Sequence, residues 1–468
     1  MTQSAETGTG AAGRRPSGAP RSAGTGSAPR PVPAPLPPVR AGLAETVRFV
    51  ATHTLPVFVR GVANPRFGVM SLYSRVNQPA WSNATLRALR ARHRGAPVMV
   101  RALSGEMLVL LDQADVRRFF EEPVSTLAMD AKDKYDSLSV FEPTGVICSH
   151  GPVREDRRRV NDRALAADRP VHPSCEEFRT VVEEECRRLT ERSVVGFPLF
   201  WKTMTRISRR VVLGDQAAED QELSDRLVTL RGHANWMGRR RPEAAKALYA
   251  EVEDRIARYA AAAPAHTLAA RALNEPSPDG TDPLGQTHHW LLGVDLAAPV
   301  VLRTLFLLAH HPAEQEAAYA DAAAGTAGLP RLRACLEESV RLYPIVPDLV
   351  RVTRTETEWR GVRYPAGTNV LVPMGFHQRD PEQVDGGNLF APGRWLVPDV
   401  HGDTRVAPFS HGGARCPGEH IALLLTSLVC AEVLRGHRIT AARPALDVAR
   451  PLPGILDTAA LRLRLTRR

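Results

Sequence analysis

The stretch of this chain that most limits its fold is residues 289–310, long, mostly apolar and nearly free of charge. A helix that is apolar almost all the way round cannot lie on a surface. It belongs in the centre of a fold large enough to wrap it on every side. Pro299 has no N–H to give and predicts a kink partway along. The chain has 468 residues, enough for one unusually large domain or for about three average ones. Charged residues interrupt the apolar runs before any reaches about 18, so the sequence reads as that of a globular chain with a central spine and not of a membrane span.

Around this spine the signals are mainly helical. Between residues 177 and 261 Arg, Glu, Ala and Leu recur at helical spacing, broken near Trp236-Met-Gly and restarted after Pro242, which predicts a helix pair with a loop. Residues 96–103 and 106–111 have the length and β-branched content of a hairpin. A Val/Thr/Arg-rich stretch after Pro344, ending Tyr364-Pro-Ala-Gly-Thr, predicts short strands and a turn, and an apolar helix is expected from Pro417 to about Arg435. Residues 1–40 hold eight prolines, many Gly, Ala and Ser, and almost no large apolar side chain, so they read as a disordered tail. The domain proper is expected over residues 41–468.

Charge and cysteine usage exclude several functions. The net charge is +10, but five arginines in the tail stand against the single Glu6, so the body is only mildly basic. The tail has no aromatic side chains for stacking on bases, which argues against nucleic acid as a partner. No signal sequence or membrane anchor is legible. The six cysteines (Cys148, Cys175, Cys186, Cys335, Cys416 and Cys430) are scattered, with no CxxC pair. That argues against zinc and a disulfide framework, and fits a reducing cytoplasm.

The chemistry concentrates in Phe409-Ser-His-Gly-Gly-Ala-Arg-Cys-Pro-Gly-Glu-His420. A cysteine in a Gly-rich loop directly before a helix is suited to being a thiolate, because loop amides and the positive end of the helix dipole favour the anion. Such a sulfur can ligate iron. Read as F-x-x-G-x-x-x-C-x-G (Phe409, Gly412, Cys416, Gly418), the loop resembles the proximal haem loop of the cytochrome P450 superfamily. Three further stretches match in order. Glu338-Ser-Val-Arg341 matches the family's E-x-x-R pair, with carboxylate and guanidinium on one helix face. Phe390-Ala-Pro-Gly-Arg-Trp395 matches its meander, with Arg394 as third member of that network. Arg154 and Arg158, beside His150-Gly-Pro, and Arg351, in Leu349-Val-Arg, match positions that meet the haem propionates. In an Arg-rich chain these three also read as a solvated basic face.

The resemblance implies a mainly α fold with a small β region, a single large domain holding haem b through Cys416. It implies oxygen activation at the iron and oxidation of a small organic substrate, a natural-product intermediate of middle size, with a soluble ferredoxin and its reductase supplying electrons. Residues 137–149, 234–237 and 345–350 fall where the family places its variable lids. One stretch departs from the pattern. Leu292-Gly-Val-Asp-Leu-Ala297 falls on the oxygen-binding signature, where Gly293 and Asp295 match as groove and proton source, but Leu296 and Ala297 replace both threonines. Either ordered water or a substrate hydroxyl replaces the missing alcohol, or the chemistry is diverted to peroxide use, coupling or redox-neutral rearrangement. A non-catalytic, partner-recruiting relative is the third possibility. In the haem loop, Ala414 also stands where Arg or His is usual, with Arg415 adjacent.

Overall fold

The computed structural model describes residues 36–235, 243–326 and 328–468. Ten short strands occur among them: β1 Val98–Ala102, β2 Gly105–Val109, β3 Leu127–Ala128, β4 Val194–Gly196, β5 Leu349–Thr353, β6 Thr357–Trp359, β7 Val362–Tyr364, β8 Asn369–Val372, β9 His437–Arg443 and β10 Arg462–Arg467. Helices make up most of the rest, so the architecture is mainly α with a small β region, as the sequence implies. β1 and β2 form the expected hairpin. They continue into a five-stranded sheet of order β1-β2-β8-β5-β3, in which only the β2/β8 pairing is parallel.

Residues 36–40 correct one expectation. Their composition places them with the tail, but the Leu36 amide donates to Gly361 and the backbone of Val39 and Ala41 exchanges bonds with Met99, so they join the sheets. Main-chain pairing asks little of side chains, so no sequence pattern announces it. The rest of the tail lies outside the described residues.

The helical region has one large core. It is packed by Phe200, Met204 and Ile207 of the Phe197–Leu213 helix, by Phe306 of the central helix and by Leu425 of the Glu419–Gly436 helix, all without accessible surface. The expected helix pair over residues 177–261 is instead four helices: Cys175–Thr190, Phe197–Leu213, Gln221–Ala234 and Glu243–Ala261. The extra breaks fall at residues 191–196, where β4 crosses, and at Gly214, whose φ of 100° ends the Phe197–Leu213 helix. The first break is marked only at its far side, by Gly196 and Pro198, and the second only by Gly214, so periodicity alone runs through them. Trp236 to Pro242 lie outside the described residues.

The spine is broken rather than kinked. It runs as Thr287–Asp295 and Ala298–His310. Pro299 cannot donate to Asp295, and the Ala297 amide turns back to Val294 at 3.1 Å, so the ladder loosens over residues 295–297. The stretch Leu284–His310 is, among the described residues, long and apolar enough to cross a membrane, but its apolar window is 72% buried inside the fold. It is the core helix.

Candidate active site

Cys416 stands between the single turn Gly412–Ala414 and the Glu419–Gly436 helix. Its amide donates to the Phe409 carbonyl at 2.9 Å, pinning the loop. Gly412 has a φ of +64°, and a Cβ there would lie 2.2 Å from the Phe120 carbonyl oxygen. Only glycine lets the loop pass the Gln113–Glu121 helix so closely. At Gly418 the amide donates to the Cys416 sulfur, and a Cβ would come within 3.9 Å of it. The other five cysteines are buried and Cys416 is exposed. Yet desolvation is the main influence on its thiol, which is pushed up to about 11 against the Gly418 amide and the charges of Arg158 and Arg415. The Cys416 side chain is thus open to solvent on one side and backed by its loop and helix on the other. Binding to a metal ion would deprotonate such a thiol outright.

Arg154 and Arg351 form a cationic rim to this loop. Arg154 donates from Nη2 to the Gly413 carbonyl at 3.0 Å, and its Nε is buried with no partner. Arg351 donates from Nη1 to Phe119 at 2.6 Å and lies over the Phe119 ring, while its Nη2 is buried with no partner. Among the described residues no carboxylate pairs with Arg351. Desolvation, and then the like charge of Arg154, push its guanidinium down to about 10. Two buried cations with orphaned N–H groups, beside an accessible cysteine, fit a group with acidic arms and a thiolate-bound metal, as haem b is.

The remaining basic candidates do something else. Arg158 pairs through Nε with Asp162 and donates from Nη1 to the Arg415 carbonyl at 2.8 Å, so it braces the loop. Arg415 is held by Glu419 in a two-point ion pair of 2.6 and 2.8 Å and does not make up for Ala414.

The structure brings Glu338, Arg341 and Arg394 together behind this loop. Glu338 and Arg341 have no exposed side-chain surface and meet through two bonds of 2.7 and 2.8 Å. Arg341 also donates to the carbonyls of Gln378, Gly387 and Leu389, and Arg394 reaches Glu338 at 3.3 Å. Burial alone would raise the Glu338 carboxyl, but hydrogen bonds and charge from Arg341, with the charge of Arg394, hold it below the ordinary range. Two more donors serve the same carboxylate: the Ala391 amide at 3.0 Å and Trp395 Nε1 at 2.9 Å. The sequence offered Trp395 only as part of a motif. A buried carboxylate needing many donors was the signal that could have assigned it.

Gly293 and Asp295 are not brought together. Gly293 is exposed, and a Cβ there would meet nothing. Asp295, about 200° further round the helix, is 3% exposed and sits among Ser208, Arg209 and Arg231. Burial is the main reason its carboxyl is pushed up to about 7, and Oδ1 has no hydrogen-bond partner. Leu296, on the side of Gly293, is half-buried. Two of the three lid segments meet. Ser137 donates to the Ala234 carbonyl at 2.8 Å, and Asn235 clamps the turn at residues 61–64 by accepting from the Ala63 and Asn64 amides. Ile345 and Val346 stay exposed.

Residues 293–446 match the family model for cytochrome P450. Among curated proteins, the chain is 36% identical over 126 residues to methyltetrahydroprotoberberine 14-monooxygenase of Papaver somniferum, covering 26% of this chain and 24% of that protein. It is 31% identical over 172 residues to the mitochondrial 25-hydroxyvitamin D-1 alpha hydroxylase of Mus musculus, covering 34% of each. The match thus spans about a third of these relatives or less. Among solved structures, a cytochrome P450 named CYP102L1 superposes with a TM-score of 0.71 over 93% of this chain and 100% of that one, at 16% identity. A 6-coordinated cytochrome P450 of Thermus thermophilus gives 0.59 over 82% and 98%, at 19% identity. Proteins of this family bind haem through a cysteine thiolate. With the fold, the Cys416 loop and the Glu338 network agreeing with the match, residues 293–446 carry the cytochrome P450 family's pattern within a chain that has the cytochrome P450 fold.

Proposed function

We propose that the protein is a haem-thiolate monooxygenase that uses molecular oxygen to oxidise a middle-sized, partly polar natural-product intermediate. One observation carries the reading: an accessible, desolvated Cys416 beside the partnerless N–H groups of Arg154 and Arg351. Bound there, haem supplies iron for oxygen activation, with thiolate donation that favours O–O cleavage. The chain's own residues do the rest. Cys416 ligates, with the Gly418 amide as its hydrogen-bond donor. Arg154 and Arg351 take the propionates. Gly293 leaves room on the exposed side of the spine, and Glu338, Arg341 and Arg394 fix the core behind the loop. Leu296 offers no hydroxyl, so ordered water or a substrate hydroxyl brings the proton.

The names of the Papaver and mouse relatives, a monooxygenase and a hydroxylase, support the reaction class. A soluble ferredoxin and its reductase supply the electrons in the cytoplasm, docking on the Cys416 face. The test is the reduced, carbon monoxide difference spectrum of the purified protein. A band at about 450 nm, expected of a thiolate-ligated ferrous haem, supports the proposal. A band at about 420 nm, or no haem, overturns it. One observation favours a second reading, diverted chemistry: Asp295 is buried among arginines on the side of the spine away from Gly293, where it cannot easily feed protons. Peroxide-driven turnover without reductase would select that reading.

A further inference from the structure

Over residues 287–297 the spine leaves only His289, Leu292, Gly293 and Leu296 exposed or half-buried. The spacing i, i+3, i+4, i+7 makes them one stripe. His289 is its one titratable member. Its Nδ1 lies 2.5 Å from Oε2 of Glu142, which comes from the lid segment 137–149 and has no exposed side-chain surface. The other carboxylate oxygen, Oε1, is buried with no partner. With Nδ1 committed to Glu142, Nε2 is the nitrogen left to a ligand, on a side chain 48% exposed. The Glu142 charge is the main cause that keeps the ring protonated above its ordinary range, against burial and, more weakly, the charge of Lys134.

Lys134, in the Lys132–Leu138 helix, makes no hydrogen bond or ion pair among the described residues. Desolvation, then the charge of Arg351, push its ammonium down to about 8. Arg351 is in turn depressed by Arg154. Charge coupling thus links Arg154, at the Cys416 loop, through Arg351 to Lys134 and His289. If the propionates take Arg154 and Arg351, the cations left over at its far end are His289 and Lys134, against two carboxylates, Glu142 and Asp130, the second already paired with His150 and Arg354.

We infer that His289 and Lys134 anchor a carboxylate on the substrate, with His289 donating from Nε2 and Glu142 positioning the ring from behind. The inference rests on this stripe facing the substrate site of the proposed monooxygenase. It narrows the substrate to an organic acid held by its carboxylate at the lid end, with the carbon to be oxidised towards the Cys416 loop. Among the described residues no other cation on this stripe competes for the acid.

The test uses the haem-loaded full chain and two probes of one shape, 2-naphthoate and its neutral analogue 2-naphthamide. Dissociation constants come from calorimetry, and 15N spectra of the histidine rings report contact at Nε2. Charge-assisted bonds to a carboxylate should make the acid bind about tenfold more tightly than the amide. His289→Gln and Lys134→Gln should each shrink that ratio at least severalfold while keeping the 450 nm band, and the His289 Nε2 signal should shift with the acid alone. Equal binding of acid and amide, binding of neither, or a ratio that survives both substitutions overturns the anchor. A wild-type chain without the 450 nm band fails the monooxygenase reading itself, a separate outcome read before either probe is added.

Discussion

Replacing Arg341 by alanine removes the side chain on which most of the proximal network turns. Arg341 donates five hydrogen bonds, two to Glu338 and three to the carbonyls of Gln378, Gly387 and Leu389. Without it, Glu338 stays fully buried and keeps only Ala391, Arg394 and Trp395 as donors. Breaking a buried pair by removing one partner costs about 3–5 kcal/mol, because the remaining charge is left uncompensated. Against a total stability of about 5–15 kcal/mol that is a large share. Arg394 is the control: its side chain is 18% exposed and its bond to Glu338 is longer, at 3.3 Å, so Arg394→Ala should cost about 1 kcal/mol. Urea unfolding followed by circular dichroism, on wild type and both variants, measures the difference. A loss below about 1 kcal/mol for Arg341→Ala, or equal losses for the two variants, would refute a network centred on the buried Glu338–Arg341 pair.

Gly412→Ala should cost about 1–3 kcal/mol and move the carbon monoxide band towards 420 nm, since the new Cβ meets the Phe120 carbonyl and φ is positive; an unchanged spectrum and melting temperature would show that the loop can shift. His172 and His377 are buried and held neutral, each pushed down to about 4 chiefly by desolvation. Their contribution to stability is complete above the ordinary value of 6.5 and is lost as pH falls from there to about 4, by up to about 1.4 kcal/mol per pH unit for each. His377→Gln should flatten that decline in urea midpoints, and a curve as steep as wild type counts against it. Leu296→Thr should hold or improve the coupling of reduced nicotinamide to product if water now stands in for the alcohol. Unchanged coupling with loss of the native product would point to diverted chemistry.

Much of this site was legible because its logic is local. The Phe409–Cys416–Gly418 spacing encodes a turn, a sulfur and a helix start within ten residues, and Glu338 and Arg341 are one helical turn apart. What was not legible depends on contacts far apart in the chain. Glu142 meets His289 across 147 residues, and Asn235 clamps the turn at residue 64 from 171 residues away; no periodicity reports either contact. The linear signature pairs Gly293 as groove with Asp295 as proton source, but the helix turns the two residues to different sides. Residues 36–40 share the composition of the tail, although their backbone pairs with the sheet.

The parallel seam between β2 and β8 also sets an order of assembly. β2 ends at residue 109, and its partner strand does not begin until residue 369. At a synthesis rate of about 5–20 residues per second, the completed hairpin waits on the order of tens of seconds beside the ribosome with one edge unpaired. Its charged residues, Arg101 and Glu106, are both exposed and sit opposite one another at the hairpin end. Charges so placed discourage a second nascent chain from adding to the edge. The last strand to arrive lies between β2 and β5, so the sheet closes from its middle, and a truncation between residues 353 and 369 leaves two sheet fragments, β1-β2 and β5-β3, with nothing to join them.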